Sequence, residues 1–238
     1  MILIFILLFL PTSISQDFRN QIVIWNVGQG QWVTGFDQTQ CLHFDIGGEF
    51  YSAQKISVLC KSRKNYLFFS HWDWDHIGFA NKLRQLSKSI CVATEPNGRA
   101  IEYKLKFLNK IPKCNHMDYV ETLSFNYSKA KKDNDYSRIY VYYKKLLIPG
   151  DSTKRMERVW SPLIKDKKLK WLFLAHHGSK TSTSKIFLKQ YSSYEFAVAS
   201  ARKQVYGHPH RSVTNRLKEF KIPLLKTEDW GNIRILLN

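Results

Sequence analysis

The segment Ser70-His71-Trp72-Asp73-Trp74-Asp75-His76-Ile77-Gly78 sets two imidazoles and two carboxylates within six positions, and nothing else in the chain restricts the fold as much. Carboxylates this close repel one another, so the segment folds stably only where something cationic neutralises it. Before it, Tyr66-Leu67-Phe68-Phe69 is an apolar run of the kind that forms a buried strand; after it, Ile77, Ala80, Leu83 and Leu86 recur near the helical period. The acidic run therefore occupies a strand-to-helix turn, where alternate side chains can converge on one point. Imidazole nitrogen and carboxylate oxygen are ligands that divalent metals favour. A solvated polar turn is the plain alternative, and it weakens because matching segments lie downstream.

Four further segments end strands in the same side-chain types. Asp45 closes the apolar stretch Cys41–Asp45, ahead of Gly47-Gly48, and Asp151 follows Gly150 after Leu146–Ile148. His176 and His177 close Trp171–Ala175, and Gly207-His208-Pro209-His210 opens a helix with Val213, Leu217 and Phe220 on one face. Singly each is weak, since an Asp after Gly is usually a turn residue. Together they form a constellation of strand ends suited to one metal site.

The patterning predicts strands over Gln21–Val27, Gln31–Phe36, Cys41–Asp45, Tyr66–Ser70, Ile90–Ala93, Arg138–Tyr143, Leu146–Ile148, Trp171–Ala175 and Phe196–Ala199. Helices are expected over Tyr51–Lys61, from the acidic turn to Ser87, over Arg99–Leu108, up to Trp160, over Ser184–Tyr191 and from Pro209. No repeat or low-complexity linker divides the chain, so residues 16–238 are read as one domain. Two mixed β/α halves whose strands end in polar clusters imply two sheets face to face with helices outside.

Residues 2–10 are an unbroken apolar block followed by Pro11-Thr12 and the small residues Ser13 and Ser15. The block is short of the roughly 20 residues a membrane span needs but fits a secretory signal peptide over residues 1–15. Its leading segment lacks Lys and Arg, which leaves an uncleaved anchor or a core strand as alternatives. Export to a periplasmic or extracellular space, with no stable membrane span after cleavage, is the expectation. There Cys41, Cys60, Cys91 and Cys114 can form up to two disulfides in three pairings, with buried thiols as the other reading. The 37 basic against 19 acidic residues, a net charge of +18, favour a polyanionic partner, either nucleic acid or an anionic envelope surface. Solvated lysine faces are the alternative.

The words Asn26-Val27-Gly28-Gln29-Gly30, Asp45-Ile46-Gly47-Gly48, Ser70–Gly78, Pro149-Gly150-Asp151, His176-His177-Gly178-Ser179-Lys180-Thr181-Ser182-Thr183-Ser184 and Tyr206-Gly207-His208-Pro209-His210 resemble the metallo-β-lactamase superfamily. The closer likeness is to the hydrolase domain of ComEC-type competence proteins, which import DNA. Thr227–Ile233 resembles the last hairpin of that domain. The resemblance implies an α/β fold, the αββα sandwich of that superfamily, with two divalent ions at one edge. Carried over by position, His71 and Asp73 would hold one ion, Asp75 and His76 the other, with Asp151 bridging. One of His176 and His177 would be a ligand and its neighbour a substrate contact, while Asp45 would orient ligands from behind. His116, in a Lys-Cys-Asn-His-Met setting, is left out of the set. The resulting oxygen-rich first site favours Mn²⁺ in competition with Zn²⁺, with Mg²⁺ a further candidate. Asn26 and Gln31 stand where that family usually has Asp.

The implied chemistry is attack of activated water on phosphorus, with Asp75, His208 and His210 as catalytic groups. Ser179, Lys180 and Thr181, at an expected helix start, suit a phosphate, with ordinary N-capping as the alternative. Trp72 and Trp74 are read first as packing under the turn and second as surfaces for bases. The leading function is an exported metal-dependent phosphodiesterase cutting DNA. Its competitors are a hydrolase of small or envelope phosphodiesters, such as phosphorylcholine esters, and a non-catalytic DNA-binding module. β-Lactam hydrolysis has no specific support.

Overall fold

The computed structural model describes residues 21–87, 89–114, 120–164, 168–191 and 194–237. The signal peptide expected over 1–15 and the histidine at 116 lie outside the described residues. In chain order the strands are β1 (Gln21–Ile24), β2 (Trp32–Phe36), β3 (Gln40–Ile46), β4 (Lys64–Phe68), β5 (Ile90–Thr94), β6 (Val120–Thr122), β7 (Tyr140–Tyr142), β8 (Leu146–Ile148), β9 (Trp171–Phe173), β10 (Phe196–Ala199), β11 (Leu224–Lys226) and β12 (Ile233–Leu236). The helices are α1 (Ala53–Cys60), α2 (Trp74–Ile77), α3 (Ala80–Leu86), α4 (Glu102–Leu108), α5 (Lys154–Trp160), α6 (Lys185–Gln190), α7 (Lys203–Tyr206), α8 (Arg211–Glu219) and α9 (Thr227–Trp230).

One sheet runs β12-β1-β2-β3-β4-β5 and the other β11-β10-β9-β8-β7-β6. Each combines antiparallel and parallel pairs, with β3, β4 and β5 parallel in the first and β8, β9, β10 and β11 parallel in the second. Side-chain alternation sets the layers. From the first sheet Ile22, Ile24, Leu42, Phe44, Tyr66 and Phe68 meet Tyr140, Tyr142, Leu146, Ile148 and Phe173 from the second. The opposite faces take helices. Leu67 and Phe69 pack with Ile56, Ile77 and Leu83, whereas Leu147 and Leu172 pack with Trp160, Phe187, Val213 and Leu217. This is the αββα sandwich expected from the sequence.

Several boundaries differ from the patterning, each for a visible reason. β1 stops at Ile24 rather than Val27, and the chain then crosses to the acidic turn, where Gln31 N–H donates to the Asp75 carbonyl at 2.9 Å. The single helix expected after that turn is two, α2 and α3, because Phe79 N–H is taken by the Ile46 carbonyl of β3. The three-residue edge strands β6 and β11 were not anticipated, being too short for period-2 alternation to register. Cys41 and Cys60 form a disulfide between β3 and the end of α1, while Cys91 and Cys114 are free. No helix among the described residues is long and apolar enough to cross a membrane.

Phe44 is fully buried between the sheets, against Phe68, Tyr140 and Tyr142 at ring separations of 5.2–5.5 Å. Phe44→Ala should cost about 3–5 kcal/mol in urea unfolding, as for other large-to-small core changes. Val58→Ala on the exposed side of α1 should change stability by less than about 0.5 kcal/mol.

Candidate metal centre

Strands of both sheets deliver their polar ends to one edge of the sandwich. At the end of β3 the Asp45 backbone takes a left-handed φ of 52°, which turns its fully buried carboxylate inward. There it accepts four hydrogen bonds of 2.7 Å: from Ser70 N–H and Oγ–H, Gln31 Nε2 and His76 Nδ1. The last bond fixes the tautomer of His76 and leaves its Nε2 facing Asp151 Oδ1 at 3.0 Å. Gln31, at a position where an acid was the family expectation, thus serves as a donor to Asp45. Gly47, just after β3, lies against the Asp75 peptide; a Cβ there would sit 2.2 Å from the Asp75 carbonyl carbon. Only glycine lets β3 come this close to the ligand turn.

From the second sheet, Asp151 follows β8 and His177 follows β9. His176 and His177 both adopt left-handed backbone, at φ 51° and 54°, a conformation unfavourable to side chains and typical of functional turns. His177 Nδ1 donates to the Ser200 carbonyl at 3.1 Å, which presents Nε2 to Asp75 Oδ2 at 3.1 Å and to Asp151 Oδ1 at 3.5 Å. Asp75, His76, Asp151 and His177 therefore place one donor atom each within 4.8 Å of all the others. His71 and Asp73 form an adjoining pair, Nε2 to Oδ2 at 3.2 Å. Ser137 ties the two groups together, because its Oγ accepts from Asp151 N–H at 3.0 Å and lies 3.4 Å from His71 Nδ1. The structure separates the two adjacent histidines. His177 joins the buried cluster, while His176 faces the cleft with Nε2 3.6 Å from Asp151 Oδ2.

The residues fit divalent ions. His76 Nε2 and Asp151 Oδ1 are buried with no well-directed hydrogen-bond partner, as donor atoms kept for an ion would be. Burial alone would push His76 and His177 down, but the carboxylates of Asp151 and Asp75, joined at His76 by Asp45, outweigh it and hold both imidazoles above their ordinary range. Burial likewise opposes ionisation of Asp75 and Asp151, yet the facing histidines keep both carboxyls well below the usual range. A hydrogen bond from His71 does the same for Asp73.

These groups open on a cleft of about 630 Å³ lined by Asp73, Asp75, Asp151, His176 and His177 on its floor and by Lys132, Lys154, Arg155 and Lys180 at its rim. Thr181 also lines the cleft, with Oγ1 3.2 Å from His176 Nδ1 and 3.0 Å from Ser179 Oγ. Ser179, Lys180 and Thr181 lie on a turn ahead of α6, not at its start; Ser184 is the residue that caps α6, accepting from Phe187 N–H. His208 accepts from Gln29 Nε2 at 3.2 Å and is 6.0 Å from the His176 ring, and burial together with the neighbouring histidines lowers it to about 4. His208 is therefore neutral at pH 7 and keeps one N–H. His210 is occupied elsewhere and does not line the cleft: its Nδ1 accepts from Ser212 N–H and caps α8. Sequence reading missed Asn134, Lys132, Lys154 and Arg155. Asn134 Nδ2 lies 3.4 Å from Asp151 Oδ2 and 3.2 Å from His176 Nε2, and buried Asp135 holds Arg155 at 3.3 Å.

No family model matches the chain. It is 27% identical to competence protein ComA of Neisseria gonorrhoeae over 94% of its own length and 33% of that protein. It is 26% identical to recombination protein 2 of Haemophilus influenzae over 71% of its length and 22% of that protein. A shorter match, 30% identical, covers 37% of the chain and 11% of ComE operon protein 3 of Bacillus subtilis. The chain thus spans a third or less of the curated relatives it matches. Among solved structures it is similar to a diphosphatase of the PhnP family, with TM-score 0.57, 12% identity and coverage of 92% and 98% of the two chains. The metallo-β-lactamase fold protein YhfI of Bacillus subtilis gives TM-score 0.55, 11% identity and coverage of 91% and 99%. The fold is that of the metallo-β-lactamases, as the sequence words implied.

In metal-stripped protein, His76 and His177 lie above their ordinary 6.5 and Asp151 below its ordinary 3.8. Their stabilisation is complete between these values, is lost as pH rises through the raised histidine pKa values, and is lost again as pH falls through the depressed aspartate values. Thermal scans of metal-free protein should therefore show the Tm difference between wild type and Asp151→Asn at its largest between pH 3.8 and 6.5. Metal addition at pH 7 should release protons, measured by calorimetry in two buffers of different ionisation enthalpy. Asp45→Asn should weaken metal binding about 10- to 100-fold by loosening His76, measured by competition with a chelator.

Proposed function

We propose that this chain is a metal-dependent phosphodiesterase that cuts DNA. The observation that carries the reading is the convergence of Asp75, His76, Asp151 and His177, with His71 and Asp73 beside them, under a rim of four cations. A carboxylate-rich floor repels a phosphodiester until divalent ions reverse its sign, whereas the rim of Lys132, Lys154, Arg155 and Lys180 attracts one. Ions held by the buried set and by His71 and Asp73 would neutralise charge at phosphorus and supply an activated water at neutral pH. Asp45 keeps the Nε2 lone pair of His76 aimed inward, and the Ser200 carbonyl does so for His177. His176 lines the cleft and the neutral His208 stands behind Gln29 beside it, and both offer N–H groups to a phosphoryl oxygen. Lys180 and Thr181 are available to hold a flanking phosphate.

The net charge of +18 and relatives named for competence and recombination support DNA as the polymer. Export belongs to the same reading: the apolar block at residues 2–10 and the Cys41–Cys60 disulfide both suit an oxidising compartment. The mixed imidazole and carboxylate donors of His71 and Asp73 suit Mn²⁺ alongside Zn²⁺.

Purified protein supplied with Mn²⁺, Mg²⁺ or Zn²⁺ should hydrolyse single- or double-stranded DNA, and absence of cleavage with every ion removes the proposal. Asp151→Ala and His177→Ala should each lower kcat/KM by more than the 10- to 100-fold typical of losing an outer partner. If about six phosphates are neutralised, DNA affinity should fall roughly 10³-fold between 50 and 200 mM salt. A flat salt dependence, with turnover of a chromogenic diester only, would redirect the reading to small phosphodiesters.

A further inference from the structure

The two tryptophans of the acidic turn have different fates. Trp72 is 9% exposed and packs into the core with Leu83 and Leu108, whereas Trp74 is 41% exposed although it stands between two metal-ligand candidates. Helix α4 adds Tyr103 beside it, 67% exposed, and Phe107 below. The indole is braced by edge-on ring contacts, 5.2 Å to Phe107 at 87° and 5.8 Å to Tyr103 at 60°. Lys104 Nζ lies 5.5 Å from the indole centre and 3.8 Å from Asp73 Oδ1, so one ammonium links the aromatic surface to the floor of the cleft.

We propose that Trp74 and Tyr103 form a stacking platform for unpaired nucleobases, which makes single-stranded nucleic acid the substrate class of the neighbouring centre. The proposal rests on the phosphodiesterase reading and goes beyond it. Holding a large indole partly in water at a rigid position is costly unless a flat apolar partner covers it, and every base has such a face. Through Lys104 the indole centre lies within about 9 Å of the Asp73 carboxylate, so a base stacked on it has its own phosphate within reach of the metal-ligand candidates. Lys104 is placed to neutralise that phosphate. Charge favours nucleic acid over an apolar protein surface here: Ile101–Lys110 carries three lysines against one glutamate, and one of those lysines is already paired with that glutamate. Paired bases have no free face, so a duplex gains nothing from the platform.

The test uses metal-loaded protein hydrolysing bis(p-nitrophenyl) phosphate, with three competitors of equal length: oligothymidylate, an abasic strand of the same charge, and a duplex. Oligothymidylate should inhibit about 5- to 140-fold more strongly than the abasic strand, the range corresponding to one stacked base. Trp74→Ala and Tyr103→Ala should each shrink that ratio, and Trp74→Phe should keep part of it, each variant being compared with its own diester rate. Equal inhibition by the two strands, or a ratio that survives both alanine variants, overturns the platform while leaving the hydrolase reading intact. If wild-type protein fails to hydrolyse the diester with any ion, the hydrolase reading fails. The platform is then read directly from fluorescence anisotropy of labelled oligothymidylate and abasic strand, with the same two variants and the same two outcomes.

Discussion

Buried negative charge governs this molecule. Asp45 and Asp151 are sequestered from water, Asp75 and Asp73 stand at the cleft, and all four lie at one edge of the sandwich. Carboxylates in such proximity are tolerated only with cationic partners and a full set of donors. The fold supplies both. Four hydrogen bonds saturate Asp45, and three imidazoles face Asp151. Much of the local architecture follows from that demand, including the left-handed backbone at Asp45, His176 and His177 and the bare glycine against the Asp75 peptide.

The same demand explains why so much was legible from residues alone. Apolar runs such as Tyr66–Phe69 and Trp171–Ala175 alternate between two buried faces, so their strands and the layered sandwich could be read directly. The acidic turn, Asp151 and the two adjacent histidines announced themselves because costly side chains at strand ends need a shared reason. What could not be read is what long-range geometry decides. Nothing in the sequence separates His176 from His177; the distinction comes from the Ser200 carbonyl, which claims one imidazole. His210 carries the same residue type as His208 but meets the open N-terminus of α8, and capping it occupies the ring. Asn134, Lys132 and Arg155 sit in a short helical turn and an ordinary amphipathic helix, where charged residues are unremarkable until the opposite sheet is in place. Trp72 and Trp74 needed the packing of α4 to be told apart.

The curated relatives are longer proteins that this chain matches over a third or less of their length, and the solved neighbours share its layers at 11–12% identity. At that distance the sandwich is what persists. Chemistry resides in the loops at one edge, where a change of rim residues alters the ligand without disturbing the sheets.

The division of the centre between the sheets carries a further consequence. His71, Asp73, Asp75 and His76 belong to the half of the chain that builds β3, β4 and β5, while Asp151 and His177 belong to the half that builds β8, β9 and β10. Neither half possesses a complete coordination set. The candidate set is therefore assembled only when the two layers dock, and an ion held by it would tie one sheet to the other across the finished sandwich.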